Sequence, residues 1–156
     1  MLSWERERGE KEIKLLRRGM QEGRIIPGGE INTHHEADWA GDHYRIYSVA
    51  AWTLSFRIAQ PDTGLAATLK FHLTGRRATI TNNLGGALNL IRLSRKRRTW
   101  QLREHGEVLL DLFWEDNKVE GTALLEENQG NRLHLLLIIF SLDRLYARSW
   151  GGDYRT

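Results

Sequence analysis

The chain contains no cysteine, and only two of its 156 residues are proline. Without cysteine there is no disulfide framework, no thiolate-bound zinc and no cysteine nucleophile. No apolar run reaches the roughly 18 residues that a membrane-spanning helix requires. The first residues, MLSWERERGEKEIK, are charged from Glu5 onward, so we expect no secretory signal and a cytoplasmic protein.

What the chain does contain is typical of a globular domain. Hydrophobic residues make up 40% of the sequence and charged residues 28%, a balance that differs from that of disordered proteins. A chain of this length buries on the order of 70% of its unfolded surface, which is enough for one hydrophobic core. We therefore expect a single folded domain.

The charge is distributed unevenly along the chain, although the formal net charge is only +3. Residues 57–103 contain ten basic residues and one acidic residue, whereas residues 104–127 contain eight acidic residues and one lysine. This asymmetry predicts one basic and one acidic surface region. The excess of arginine over lysine, 18 to five, suits phosphate or carboxylate partners and is also what a GC-rich genome would produce.

The beginning of the chain has charge pairs at helical spacing. Glu7 precedes Lys11 by four residues, and Glu10 precedes Lys14 by four. Oppositely charged residues in this order stabilise a helix. We therefore predict a charged helical extension over residues 1–22.

The next segment, residues 23–42, has little periodicity and contains the turn sequence Pro27-Gly28-Gly29. We predict a loop there, with at most a short edge strand around Arg24–Ile26. Trp4 and Trp39 lie in these first two segments, and Trp150 lies near the other end of the chain. Exposed tryptophans are frequent in protein contacts, so these three are candidates for an assembly surface.

From residue 43 the pattern changes to alternation with a period of two. Apolar and polar residues alternate through 52–58 and again through 65–73, with the turn sequence PDTG between the two runs. Further short strands follow at intervals of roughly 8–12 residues, which is typical of antiparallel barrels and sandwiches. The fold class that this predicts is mainly β, an antiparallel meander closing into a barrel within residues 43–152.

The segment LHLLLIIFSLDRLYARSW, which begins at Leu133, ends at a pair of glycines. As a helix over residues 132–149 it would be apolar on every side, and such a helix must be buried on every side. Only a surrounding sheet could cover it in a protein of this size. The alternative is that Leu133–Phe140 forms one more buried strand, because periodicity does not distinguish the two for a short apolar run.

A meander followed by a wholly apolar helix resembles the tubby-like superfamily, which includes the LURP-one-related proteins and the phospholipid scramblases. The phrase ATITNNLGGALNLIR at Ala78–Arg92 is similar to a recurring phrase of that family, and Trp100-Gln101-Leu102 with the turn at Gly106 also fits. The resemblance covers about residues 40–150. It implies a closed barrel around a central hydrophobic helix and, as in tubby domains, binding of phosphoinositides. A charged helix at the start would depart from the family, whose chains begin with a strand.

The sequence RLSRKRR is the strongest local signal for a binding site. Its basic residues are Arg92, Arg95, Lys96, Arg97 and Arg98. Clustered basic residues bind anionic lipid headgroups, and they also bind nucleic-acid phosphates. No helix-turn-helix, RNP-type aromatic pair or zinc finger accompanies the charge, which argues against nucleic acid. The cluster could also be a solvated turn that pairs with the acidic region at Glu107–Glu127.

The stretch HHEADWAGDH holds the only candidates for a metal site, namely His34, His35, Glu36 and His43. Their spacing matches no strong metal motif, and neighbouring His34 and His35 would point apart in an extended chain. We therefore predict a polar loop without a metal. His72 and His134 lie in apolar segments, where we interpret them as structural residues with satisfied hydrogen bonds.

No nucleophile elbow, P-loop or dinucleotide fingerprint is present in the sequence. We therefore expect a protein that is not an enzyme, that needs no cofactor and that binds an anionic lipid or a protein partner, with self-association as a further option. It would be cytoplasmic, or peripheral at a membrane surface. The alternatives are an assembly subunit that docks through the N-terminal helix and a barrel that binds a small ligand.

Overall fold

The structure, a computed structural model, describes residues 2–6, 11–28, 34–49, 54–73, 75–83, 85–94, 96–115, 118–120 and 129–149. The elements are β1 (Leu2–Glu5), β2 (Ile13–Arg17), β3 (Met20–Ile26), β4 (His34–Trp39), β5 (Asp42–Ser48), β6 (Ser55–Gln60), β7 (Leu65–Phe71), β8 (Arg77–Asn82), β9 (Ala87–Ser94), β10 (Thr99–Glu104), β11 (Glu107–Phe113), β12 (Lys118–Glu120) and α1 (Gln129–Ser149).

Strands β1 to β11 form an eleven-strand antiparallel meander in which each strand pairs with the next strand along the chain. The three-residue strand β12 pairs with β11 and, through Leu2↔Val119 and Ser3↔Lys118, with β1. The predicted fold class is therefore confirmed as a mainly β meander with one C-terminal helix.

The predicted N-terminal helix over residues 1–22 is wrong, because Leu2–Glu5 and Ile13–Arg17 are strands. Leu2 and Trp4 are buried in one strand, and Ile13 and Leu15 in the other. A charge pair at helical spacing is worth only about 0.2–0.5 kcal/mol. Full burial of one large apolar side chain is worth roughly 1.5–3 kcal/mol, so tertiary packing decides the conformation.

In residues 23–42, the short strand expected around Arg24–Ile26 is confirmed as part of β3, but its expected position at an edge is wrong, and so is the loop at His34–Trp39. Strands β3 and β4 lie inside the sheet order, since each of them pairs with two neighbours. Their inward residues include Gly23, His35 and Ala37, which do not read as an apolar alternation. There is no room for a side chain at Gly23, because a Cβ there would lie 2.5 Å from the Asp38 carbonyl oxygen and 3.1 Å from the Trp39 Cα.

Helix α1 confirms the prediction for residues 132–149 and excludes the strand alternative. Its side chains from Leu133 to Tyr146 are buried except for Arg144, which is partly exposed. The helix lies closest to β6 and β7. Among the described residues, α1 is the only helix, and no helix is long and apolar enough to cross a bilayer.

The aromatic candidates for an assembly surface do not lie on the surface. Trp4 and Trp39 are both buried in the core, so that interpretation is wrong for these two residues. Trp150 lies outside the described residues. The assembly hypothesis relied on an N-terminal helix and three exposed tryptophans. Strands lie in place of that helix, and two of the three tryptophans are buried.

Alternate connections of a meander lie at the same end of its sheet. We call one end the hairpin end; it carries the turns β2–β3, β4–β5, β6–β7, β8–β9 and β10–β11. We call the other the basic end; it carries the connections β1–β2, β3–β4, β5–β6, β7–β8, β9–β10 and β11–β12. Helix α1 runs from the hairpin end, where Arg132 contacts Asp42, to the basic end, where Asp143 contacts Arg6.

Candidate anionic-ligand site

The predicted basic cluster lies at the basic end, on strand β9 and the turn that follows it. Arg92 lies near the end of β9, and Lys96 to Arg98 form the turn before β10. The backbone amide of Arg97 donates a hydrogen bond to Ser94 Oγ at 3.1 Å, which shapes the turn. Arg95 lies outside the described residues.

Lys96 and Arg97 are the exposed members of the cluster. Within the described part of the chain, neither side chain forms an ion pair. For Lys96 and Arg97, the alternative of a turn paired with the acidic region finds no ion pair among the described residues, which leave out Asp116, Glu126 and Glu127. Glu107 lies at the opposite, hairpin end of the sheet, whereas Glu115 follows β11 at the basic end, next to Trp114, whose amide donates a hydrogen bond of 3.1 Å to the Arg98 carbonyl.

Arg92 and Arg98 behave differently, because both are half-buried against aromatic rings. The Arg98 guanidinium carbon lies 4.7 Å from the centre of the Tyr146 ring, and that of Arg92 lies 5.9 Å from the Trp100 ring. Contacts of this kind are worth about 0.5–2 kcal/mol. These two arginines therefore belong partly to the packing of the sheet on the helix.

The rings beneath them form a continuous cluster. Trp100 Nε1 donates a hydrogen bond of 2.8 Å to the Tyr146 hydroxyl. The Tyr146 ring lies 5.3 Å from the Trp114 ring, which lies 5.1 Å from the Trp4 ring. Burial raises the pKa of Tyr146, against the opposing effect of the Trp100 hydrogen bond and of Arg92 and Arg98. The phenol therefore stays neutral beneath two fixed positive charges.

Two further basic residues, Arg76 and Arg77, join the site from the neighbouring β7–β8 connection. The Arg92 amide donates a hydrogen bond of 2.9 Å to the Arg76 carbonyl, and Arg77 pairs with Ile91. Both side chains are exposed. Both belong to the basic stretch 57–103, but the sequence does not place them at the site, because about 15 residues separate them from the cluster. In a meander, alternate turns lie side by side at one end of the sheet, and this rule would have placed Arg76 and Arg77 beside the cluster.

The histidine-rich stretch lies on strands β4 and β5. His34 is exposed and stacks on Tyr47, with ring centres 5.2 Å apart, whereas His35 is buried against Phe140 at 4.6 Å. The prediction that these two point apart is confirmed. His35 Nδ1 accepts a hydrogen bond of 2.8 Å from the Gly28 amide.

Burial first, and then Arg144 and His34, lower the pKa of His35 to about 4. His43 Nδ1 lies 2.8 Å from Asp38 Oδ1, and its Nε2 lies 3.8 Å from Glu36. Among the residues that the structure describes, no group of three or more such side chains is arranged to hold a metal ion. The chain segment is a strand pair and not the predicted polar loop.

The two remaining histidines differ from each other. His72 is exposed, and its Nε2 lies 3.0 Å from Thr79 Oγ1. His134 is buried in α1, and neither of its ring nitrogens has a hydrogen-bond partner among the described residues, so the expectation of a satisfied structural residue is wrong for it there. Burial lowers the pKa of His134, with Glu104 opposing, which favours a neutral ring in the folded protein.

No protein-family model matches the chain, and no curated protein or solved structure matches it either. The resemblance to the tubby-like superfamily stays a prediction that rests on the sequence phrases and on the order of the elements. In the described part of the chain, two adjacent turns present side-chain cations to solvent. The charge of such a surface suits an anionic partner.

Proposed function

We propose that this protein is a non-catalytic binding module that engages an anionic phospholipid or phosphoinositide at a membrane surface through its basic end. The observation that carries the proposal is the exposure of Arg76, Arg77, Lys96 and Arg97 on two adjacent turns. Neither residues 72–77 nor residues 92–98 include an aspartate or glutamate. The proposed function would make the protein peripheral to the membrane.

The expected binding energy follows from the number of exposed cations. A basic side chain near an anionic leaflet contributes about 1 kcal/mol, so four of them contribute about 4 kcal/mol at low salt. This attraction falls off within a Debye length of about 8 Å at physiological ionic strength. Binding should therefore be reversible and sensitive to salt.

We also propose that the sheet is a closed barrel of the tubby-like type around α1. Two observations support this: β1 pairs with both β2 and β12, and the helix is buried along Leu133–Phe140 on every side. Leu2–Glu5 and Ile13–Arg17 are strands, so these residues do not form the charged helix that would depart from the family. The helix side chains occupy the space inside the sheet, which argues against the small-ligand barrel.

The test of the membrane proposal is co-sedimentation with vesicles of neutral lipid alone, with phosphatidylserine, and with a phosphoinositide at equal total charge. The variant carries Arg76→Ser, Arg77→Ser, Lys96→Ser and Arg97→Ser together. We expect the native chain to sediment with anionic vesicles only, less so in high salt, and the variant to lose binding by hundreds-fold or more.

The matched control removes four cations away from the two turns, the exposed Arg18, Arg45 and Arg57 and the partly exposed Arg103, with Arg18→Ser, Arg45→Ser, Arg57→Ser and Arg103→Ser. It loses the same net charge and should retain most of the binding. Equal losses in the two variants would mean that net charge, and not the basic end, determines the binding. Absence of any binding by the native chain would refute the proposal.

A further inference from the structure

Two exposed leucines lie among the cations of the basic end. Leu73, in the β7–β8 connection, is fully exposed, and Leu93, near the end of β9, is 50% exposed. Neither belongs to the hydrophobic core; Arg76 and Arg77 follow Leu73 within four residues, and Arg92 directly precedes Leu93. Single exposed apolar residues are common on protein surfaces, so what carries information is that these two lie among cations at one end of the sheet.

The register of the sheet brings the two leucines to one place. Arg77 pairs with Ile91, and the bond from the Arg92 amide to the Arg76 carbonyl extends the ladder by one residue. The next step of the same register sets Leu93 beside Gly75, two residues from Leu73. Gly75 has a φ of +67° and adds no side chain to this surface.

The distribution of exposed apolar residues favours this end over the other. Six large apolar side chains are exposed in the described part of the chain. Four of them, Ile26, Val49, Leu73 and Leu93, lie at the basic end, where the strands β3, β5 and β9 end and β7 turns into β8. The other two, Met20 and Val108, lie at the hairpin end, near the starts of β3 and β11.

We infer that the basic end docks end-on against an assembled anionic bilayer, with Leu73 and Leu93 inserted below the headgroups and the arginines and Lys96 at headgroup level. This inference rests on the proposed function and specifies its partner. Cations at headgroup level with apolar side chains beneath are the arrangement of proteins that lie in the membrane interface. A soluble anion, such as a free inositol phosphate or a nucleic acid, would use the cations and leave the leucines in water.

The absence of cysteine allows insertion to be measured directly. A single cysteine introduced by Leu73→Cys, or by Leu93→Cys, can carry a nitrobenzoxadiazole label whose emission shifts to the blue and brightens in an apolar environment. The control carries the same label at Met20→Cys, on the hairpin end. On vesicles with phosphatidylserine we expect a blue shift at positions 73 and 93, and none at position 20.

The second measurement uses a variant with Leu73→Ser and Leu93→Ser, whose affinity for the same vesicles is compared with that of the native chain. We expect a loss of about tenfold for each leucine, and therefore of about a hundredfold for the pair. A matched variant with Met20→Ser and Val108→Ser should bind like the native chain. Binding of soluble inositol trisphosphate, measured by calorimetry, should be the same in all of these proteins.

The outcomes separate the inference from the proposal beneath it. If the native chain sediments with anionic vesicles while the label at position 73 stays in water, and the leucine variant binds normally, the insertion is refuted and the electrostatic function stands. If the leucine variant also loses inositol trisphosphate, the leucines act on a soluble anion and the inference is refuted. If the native chain binds no vesicle, both are refuted.

Discussion

The hairpin end and the basic end of the sheet differ in their turn types and in the side chains that they expose to solvent. At the hairpin end, three connections are two-residue turns in which both residues have positive φ, the type I′ geometry that matches the twist of paired strands: Arg18-Gly19, Ala40-Gly41 and His105-Gly106. At the basic end, the β7–β8 and β9–β10 connections present cations and leucines to solvent. Turn chemistry that fixes strand register is thus concentrated at one end, and the candidate binding surface at the other.

Helix α1 connects the two ends and is fastened at both. Arg132 lies 3.6 Å from Asp42 at the hairpin end, and Asp143 lies 2.9 Å from Arg6 at the basic end. Arg132 lies in the first turn of the helix, where a positive charge opposes the helix macrodipole, and its partner Asp42 offsets this cost. Each of the two contacts is available in only one direction of the helix. The two pairs therefore specify the orientation of α1.

The largest expected effect comes from truncating the side chain that holds the helix in place near the basic end. Phe140 is fully buried against His35 at 4.6 Å and Phe56 at 5.5 Å. Phe140→Ala should lower the free energy of unfolding by about 3–5 kcal/mol. Urea unfolding followed by tryptophan fluorescence measures the loss.

Hydrogen exchange in the same variant tests whether the two ends unfold together. Because one helix packs along both, amide protons at the hairpin end should lose as much protection as those at the basic end. Leu73→Ala, at an exposed site, serves as the control and should change stability by less than about 0.5 kcal/mol. Loss of protection at the basic end alone would show that the ends are separate cooperative units.

The next effect is a dependence of stability on pH through His35 at the basic end. Its pKa is about 4 in the folded protein against 6.5 when unfolded, so between these values the unfolded chain binds a proton that the folded chain does not. Stability is therefore complete above about pH 6.5 and falls as the pH falls towards 4. The full shift corresponds to about 3 kcal/mol.

His35→Asn keeps an acceptor for the Gly28 amide and removes the titrating ring. Urea unfolding at pH 7 and pH 5 should show a smaller loss of stability on acidification in this variant than in the native chain. The remaining loss should come from His134 towards the hairpin end, whose pKa burial also lowers. An unchanged loss in His35→Asn would show that His35 is protonated equally in both states.

The smallest effect compares a single backbone conformation at the two ends. Ala40 has a φ of 51° and Arg98 a φ of 49°, a region that disfavours both residues and that asparagine tolerates. Ala40→Asn, which creates the Asn-Gly sequence preferred in type I′ turns, should stabilise the protein by about 0.5 kcal/mol. Arg98→Asn gains the same conformational term but loses the contact with Tyr146, so we expect no net gain.

Thermal unfolding distinguishes these two variants, because 1 kcal/mol corresponds to about 2–4 °C for a domain of this size. We expect a rise of about 1–2 °C for Ala40→Asn and no rise for Arg98→Asn. Equal rises would show that the Arg98 contact with Tyr146 contributes nothing to stability. The difference between the two changes in melting temperature thus measures how much the Arg98 side chain compensates for the disfavoured backbone conformation of this turn at the basic end.

The sequence predicted the structure correctly in segments where one pattern of polarity dominated. The alternation after residue 43 and the uniformly apolar run at Leu133–Phe140 identified the meander and the helix, and the basic cluster was located at a strand end. It failed for β1 to β4, because local charge spacing and small inward residues such as Gly23 concealed the alternation. The burial of Trp4 and Trp39 was missed for the same reason.

The class of the fold, the helix and the basic character of one turn follow from local patterns of polarity in the sequence. Which cations are exposed follows from the tertiary structure. It placed Arg92 and Arg98 on aromatic rings, left Lys96 and Arg97 exposed, and brought Arg76 and Arg77 beside them with Leu73 and Leu93. These relations depend on strand register and on the position of the helix, which join residues that are distant in the chain.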